Sequence, residues 1–210
     1  SDLDEIQFDY IRFAVDRTMN DVVFDDGDTQ GRNKTQAITE FISYAHDELA
    51  KEGLFVSADV FGAIMRSEED AAAVGQEYED MAEYLDYICP MIYPSHYGPG
   101  NFGIEYPDTQ PYDTILNALN GSRELLAASA KDDTPQAVVR PWLQDFTASY
   151  LEHYIRYGDE QVRQQIQAVY DAGYDQWILW DAGVSYHYGG LLTPEEAAKE
   201  DERIARSKIG

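Results

Sequence analysis

Short apolar runs alternate with longer amphipathic stretches along most of the 210-residue chain. The runs consist mainly of β-branched and aromatic residues, which are typical of buried strands. Such an alternation predicts parallel strands joined by crossover helices, and therefore an α/β fold. The five predicted strands cover residues 5–13, 54–61, 87–93, 137–143 and 176–180.

The stretches that follow these runs carry helix signals. Apolar residues recur at helical spacing from Ile38 to Leu49 and stop before Gly53, which is a natural left-handed cap. Thr193 and Glu196 have the spacing of a capping box around Pro194. We predict five helices: one that contains 38–49, one from Ser67 to about Tyr84, one that follows Pro111, one over 159–173 and one from Thr193 onward.

The loops after the predicted strands are longer than those that lead back from the helices. They cover 14–33, 94–110, 144–158 and 181–192, an asymmetry typical of a TIM (β/α)8 barrel with its site at the carboxyl ends of the strands. Because five units cannot close eight strands, we expect residues 1–210 to form a single partial barrel domain of a longer protein. An open sheet is the alternative. Five strands would leave exposed edges and one apolar face of the half-barrel, so self-association of the truncated barrel is also expected.

Charge excludes several classes of partner. The chain has 40 acidic and 15 basic residues and a formal net charge of -25, which would repel nucleic acid and anionic lipid. No apolar stretch approaches the length of a transmembrane helix, so no membrane insertion is expected. Cys89 has no second cysteine with which to form an intrachain disulfide.

Two aspartates stand near the ends of the first two predicted strands. Asp9 lies in FDYIRF and Asp59 in VSADVFG, and a carboxylate at the end of a buried strand is costly unless it is paired or used. Two carboxylates on adjacent strands are what glycoside hydrolysis requires. We therefore predict that Asp9 and Asp59 are catalytic, with a structural ion pair to Arg12 or Arg66 as the alternative.

Aromatic and polar residues follow the other predicted strands, a combination that suits sugar stacking and hydroxyl recognition. Core packing of the aromatic rings, and a histidine without a role, are the alternatives. Together with Arg12, the predicted substrate-binding residues are Tyr93, His96, Tyr97, Trp142, Gln144, Asp145, Trp180 and Asp181.

Metal and cofactor signals are weak. The segment from Asp26 to Gly31 resembles the start of a calcium loop, but position twelve is Ala37 rather than glutamate. The four histidines have no zinc-ligand spacing. We predict no metal and no cofactor.

The segments FDYIRF, VSADVFG, CPMIYPSHY, RPWLQDF and ILWDA resemble a bacterial family of barrel-fold glycoside hydrolases that is distantly similar to the α-amylase type and whose biochemical role is largely unassigned. The resemblance implies that these segments are strands four to eight of the barrel. It places a nucleophile at Asp9 and an acid at Asp59, where the wider group usually has glutamate. Ala14 and Asp181 also depart from the family pattern, which commonly has Pro and often Asn there.

The leading hypothesis is a glycoside hydrolase that acts on a polysaccharide or oligosaccharide. The resemblance implies an extracellular or cell-envelope location. The alternative is a carbohydrate-binding or scaffold barrel without catalysis, suggested by the abundant aromatic residues and by aspartate at the acid position.

Overall fold

The computed structural model describes residues 3–15, 22–131 and 134–207 of the chain. Its strands are β1 (Glu5–Phe8), β2 (Phe55–Phe61), β3 (Tyr87–Met91), β4 (Val138–Val139), β5 (Trp142–Gln144) and β6 (Ile178–Trp180). Its helices are α1 (Asp26–Thr29), α2 (Lys34–Ala50), α3 (Glu68–Val74), α4 (Tyr78–Ala82), α5 (Pro111–Ser129), α6 (Asp159–Asp171) and α7 (Pro194–Ser207). Strands and helices alternate, which confirms the α/β class.

The chain divides into two compact units, the first formed by Ser1–Cys89 with Glu124–Val138 and the second by Pro90–Arg123 with Val139–Gly210. In the first unit β1 pairs in parallel with β2, and Gln7 lies opposite Ser57. Helix α2 covers one face of this pair, where Phe8 packs edge-on against Phe41 with ring centroids 5.3 Å apart.

In the second unit the end of β3 pairs in parallel with β5, and β5 pairs in parallel with β6. Helix α6 contacts β5, and its residues Val162, Ile166 and Val169 are fully buried. Gln165 of this helix bonds both backbone groups of Gln144, at 3.0 Å to the nitrogen and 2.7 Å to the oxygen.

Three predicted elements end earlier than expected or are interrupted. The first strand ends at Phe8 rather than Phe13, since Tyr10 adopts a left-handed φ of 56°. The fourth run forms two short strands because Pro141, which lacks a backbone N–H, stands between them. The helix that begins after Ser67 ends at Val74, followed by Gly75 with φ 75°.

The segment that resembles the start of a calcium loop contains the single turn α1, and Gly27 donates its backbone N–H to the Asp25 carboxylate at 2.7 Å. In the described part of the chain, no helix has the length and apolar character needed to cross a bilayer.

Candidate active site

One face of the β1–β2 pair is lined by polar side chains. Alternation along the strands points Glu5 and Gln7 to the same side as Ser57 and Asp59. The Ser57 hydroxyl donates to the Glu5 carboxylate at 2.6 Å, and the Gln7 amide donates to Asp59 Oδ1 at 2.6 Å. The opposite face of β2 carries Val56, Ala58 and Val60, all fully buried. The two faces of the same strand therefore differ sharply in polarity.

Asp59 occupies the carboxyl-terminal part of β2 and is 7% exposed. Its side chain is oriented by Gln7, and its backbone oxygen accepts a hydrogen bond from the Gln76 amide at 3.2 Å. A buried carboxylate in a strand is costly unless it is paired or has a function. Asp59 thus has the fixed, sheltered position expected of a catalytic carboxyl group.

Asp9 directly follows β1 and is exposed. Its Oδ1 accepts a hydrogen bond from the Tyr10 backbone N–H at 2.7 Å. The last paired position of the two strands is Phe8 opposite Ala58, and Asp9 and Asp59 each come directly after it.

Arg12 lies in the segment after β1 and stacks on aromatic rings. Its guanidinium carbon is 4.5 Å from the ring centroid of Phe61 and 5.2 Å from that of Tyr10, distances typical of cation–π contacts. Its Nη1 donates to the backbone oxygen of Phe13 at 3.3 Å. Within the residues that the structure describes, Arg12 forms no ion pair with Asp9 or Asp59, so its contacts do not support Arg12 as the partner in the ion-pair alternative.

Gln76 is a residue that sequence reasoning missed. Its buried amide donates to the backbone oxygens of Ile11 and Asp59 at 3.1 and 3.2 Å, and it accepts from the Phe61 backbone N–H at 3.1 Å. One side chain therefore ties the segment after β1 to the end of β2. The turn signal at Gly75, just before it, is the local feature that marks this position.

In the second unit, Tyr93 and His96 pack with Phe146 in an aromatic cluster. The Tyr93 ring lies 5.1 Å from His96 and 5.9 Å from Phe146, centroid to centroid. Burial lowers the pKa of His96, which favours the neutral imidazole. Tyr97 packs separately on Phe102 at 4.9 Å. These contacts agree with the packing interpretation as well as with a role in binding.

Gln144 is completely buried and organises the loops around it. Its side-chain oxygen accepts from the Ser95 backbone N–H, while its amide nitrogen donates to the Asp108 carboxylate and to the Phe146 backbone oxygen, each at 3.0 Å. Burial raises the pKa of Asp108, and its hydrogen bonds from Gln144 and the Ile155 backbone oppose that change. We assign Gln144 to positioning of the loops, since it does not reach solvent.

Asp145, which follows β5, is also buried. Its carboxylate accepts from the backbone N–H of His187 at 2.9 Å and contacts the Nδ1 of the same residue at 2.6 Å. His187 was not among the predicted site residues, although it stands in a loop after a predicted strand. The structure thus adds a histidine held by a buried carboxylate.

Trp142 and Trp180 lie on the paired strands β5 and β6, with ring centroids 5.9 Å apart and planes at 90°. Trp180 is 43% exposed and can offer part of its ring to a ligand. Asp181 follows it and accepts a hydrogen bond from the Ser185 backbone N–H at 2.8 Å. Among the described residues, no group of three His, Cys, Asp or Glu side chains is placed to hold a metal ion.

The fold and these strand-end residues define an α/β protein of the kind that carries its site at the carboxyl ends of parallel strands. Residues 2–186 match the family described as "Putative glycosyl hydrolase domain", and the chain belongs to that family. A search of curated proteins found no match.

Two solved structures resemble this chain at low sequence identity. The PgaB (BpsB) glycoside hydrolase domain from Bordetella bronchiseptica has 11% identity and a TM-score of 0.48, and the match covers 80% of this chain and 42% of that one. The spore cortex-lytic enzyme SleL from Bacillus cereus has 10% identity and a TM-score of 0.50, with coverage of 80% and 46%. The chain therefore spans less than half the length of either relative, and the likeness to SleL is one of fold.

Proposed function

We propose that the protein hydrolyses O-glycosidic bonds in a polysaccharide or oligosaccharide, with Asp9 and Asp59 as its catalytic carboxyl groups. The observation that carries this proposal is their placement at the carboxyl ends of two paired parallel strands, one side chain exposed and the other buried. Membership of a glycosyl hydrolase family supports the reaction class.

The two aspartates differ in access, and this difference suggests their roles. Asp9 is open to solvent, so its carboxylate can reach the anomeric carbon of a bound sugar. Asp59 is held in one orientation by Gln7 and suits a proton donor to the leaving-group oxygen. The same assignment follows from the resemblance, in which the nucleophile ends one strand and the acid ends the next.

We propose a retaining mechanism, in which one carboxyl group is the nucleophile and the other is first the acid and then the base. In the first step Asp9 forms a glycosyl ester while Asp59 donates its proton to the departing oxygen. Asp59 then takes a proton from water, which attacks the ester and releases Asp9.

Asp9→Asn and Asp59→Asn each test this proposal in the complete natural protein. We expect either change to reduce reducing-sugar release from a glycan that the protein cleaves by a factor on the order of 1,000, since each removes a group that acts in the transition state. Asp47→Asn, at an exposed position on α2, is the matched control and should leave the rate unchanged. Full turnover by both site variants would contradict the proposal.

Azide separates the two roles. With Asp9→Ala, azide can replace the missing nucleophile and should restore turnover, giving a glycosyl azide of inverted configuration. With Asp59→Ala, azide should instead attack the glycosyl ester and give the retained configuration. If Asp9→Ala gave the retained product and Asp59→Ala the inverted one, Asp59 would be the nucleophile and Asp9 the acid.

Carbohydrate binding without cleavage is the second candidate function. It is favoured by the exposed face of Trp180 beside Trp142, which could stack on a sugar ring without any catalytic group. Glycan binding by the complete protein without turnover, and unchanged by Asp9→Asn, would support this candidate over the hydrolase. An extracellular or cell-envelope location is part of either proposal.

A further inference from the structure

His187 and Asp145 form a pair that the proposed mechanism does not use. The Asp145 side chain is 0% exposed, whereas the His187 side chain is 40% exposed. Both carboxylate oxygens of Asp145 contact His187, Oδ2 through the backbone N–H at 2.9 Å and Oδ1 through Nδ1 at 2.6 Å. This double contact fixes both the backbone and the ring of the histidine.

The loop that carries His187 is held at several other points. Asp181 accepts from the Ser185 backbone N–H at 2.8 Å, and the His187 backbone oxygen accepts from Gly190 at 3.0 Å. Arg163 of α6 donates through Nε to the Gly190 oxygen at 2.9 Å. Val184, a β-branched residue, adopts a φ of 53°, a strained backbone conformation that persists only when its surroundings impose it.

The orientation of the imidazole leaves its second nitrogen available. A carboxylate can only accept a hydrogen bond, so the contact with Asp145 requires a proton on Nδ1. Nε2 is on the opposite side of the ring from Nδ1 and faces away from Asp145. Within the described part of the chain, Nε2 forms no hydrogen bond, and the ring is partly exposed.

A histidine that only anchored this loop would not need an exposed ring. The Asp145 carboxylate already accepts the backbone N–H of residue 187, which any residue except proline would supply. A buried carboxylate costs stability unless it has a structural or functional role. Beyond its contact with the backbone N–H, the Asp145 carboxylate fixes the direction of the His187 ring.

We propose that His187 binds a hydroxyl group of a carbohydrate through Nε2 and that Asp145 is the residue that positions it. The proposal rests on the proposed carbohydrate function. Because the chain carries a formal net charge of -25, we expect the pair to bind uncharged sugar units better than uronic acids. This assigns His187 to carbohydrate recognition, with a ring nitrogen fixed in direction before the carbohydrate arrives.

The first test is NMR of the histidine ring nitrogens in the full chain. We expect His187 to carry a proton on Nδ1. We also expect its Nε2 resonance to shift when a hexasaccharide is added and binds. The probes are cellohexaose, maltohexaose, xylohexaose and chitohexaose, with tetragalacturonate as the anionic comparison. His153 is the matched control because its side chain is 46% exposed and its nearby carboxylate, on Glu152, is itself exposed.

The second test is affinity. His187→Phe should weaken binding of the hexasaccharide about tenfold, the effect of losing one hydrogen bond of about 1.4 kcal/mol, and His153→Phe should change it less than about twofold. Asp145→Asn should give a mixture of ring tautomers with an intermediate loss. If Asp145→Asn does not fold, the position of the ring proton and the Nε2 shift in the unaltered chain still test whether His187 binds the carbohydrate.

The outcomes separate this inference from the proposed function. A hexasaccharide that binds or is cleaved without any shift of His187 Nε2 overturns the inference and leaves the hydrolase proposal intact. An Nε2–H tautomer overturns it as well. Equal or tighter binding of tetragalacturonate overturns the preference for uncharged sugars. Failure of every probe to bind overturns the inference together with the carbohydrate function on which it rests.

Discussion

Replacement of Gln76 by methionine should destabilise the protein and loosen the candidate active site. Gln76 is 1% exposed, and its amide forms three hydrogen bonds with backbone groups of Ile11, Asp59 and Phe61. Methionine has a similar length and fills a similar volume, so the change removes the hydrogen bonds with little effect on packing. The variant therefore measures what this side chain contributes through its polar atoms.

The expected magnitude follows from the three bonds. A hydrogen bond contributes about 1 kcal/mol to stability on average, and a buried backbone group left without a partner costs about 1–3 kcal/mol. Gln76→Met should thus lower the free energy of unfolding by about 3 kcal/mol in urea titration. The Phe61 amide should exchange with solvent at least about tenfold faster, since 1.4 kcal/mol corresponds to a factor of ten.

Gln164→Met is the control for this experiment. Gln164 lies on α6, where its amide bonds the exposed Glu160 carboxylate at 3.3 Å, and its loss should change stability by less than about 0.5 kcal/mol. A loss below about 1 kcal/mol for Gln76→Met, with unchanged exchange at Phe61, would refute the reasoning. In that case the end of β2 would not depend on Gln76.

Two further predictions concern backbone strain and pH. Gly75→Ala should lower the free energy of unfolding in urea by about 1 kcal/mol more than Gly53→Ala. Both glycines have a left-handed φ, of 75° and 74°, but a Cβ at Gly75 would meet Lys34 and Phe13 at 3.0 Å, whereas a Cβ at Gly53 would meet nothing within 4 Å. Equal losses of stability would refute the steric argument. Since burial lowers the pKa of His96, the unfolded chain gains its proton first as the pH falls through the ordinary histidine range near 6.5, so stability should decrease there. His96→Gln should reduce the difference in melting temperature between about pH 7.5 and 5.5, and an unchanged difference would show that His96 is not its source.

The sequence was sufficient for the elements whose signals are local. The capping box predicted at Thr193 is confirmed, with the Thr193 backbone N–H at 2.8 Å from the Glu196 carboxylate and the Glu196 backbone N–H at 3.2 Å from the Thr193 hydroxyl. Ser67 likewise caps α3 through the Asp70 backbone N–H at 3.1 Å. These features depend on residues three positions apart, so their spacing in the chain predicts them.

The partners of the site residues could not be predicted in this way. Gln76 meets Ile11 across 65 positions of sequence, and Asp145 meets His187 across 42. Such contacts arise when loops from separate strands converge, and no periodicity in one segment encodes them. Predictions of strand-end residues therefore stay predictions about location, while the buried or exposed state of each residue emerges only when the loops are placed.

The polarity of β2 argues for function more strongly than any single residue. One face of this strand is apolar and packed, with Val56, Ala58 and Val60 fully buried, whereas Ser57 and Asp59 on the other face are polar and also buried. Burial of a polar group stabilises the fold less than burial of an apolar group of the same size, even when the polar group makes all its hydrogen bonds. Packing alone would favour apolar residues on both faces, as in other parallel sheets covered on both sides. The hydrogen bonds of Ser57 to Glu5 and of Gln7 to Asp59 therefore mark a face whose polar groups are held in place at a cost in stability. Asp59 lies on that face, and Asp9 directly follows the neighbouring strand.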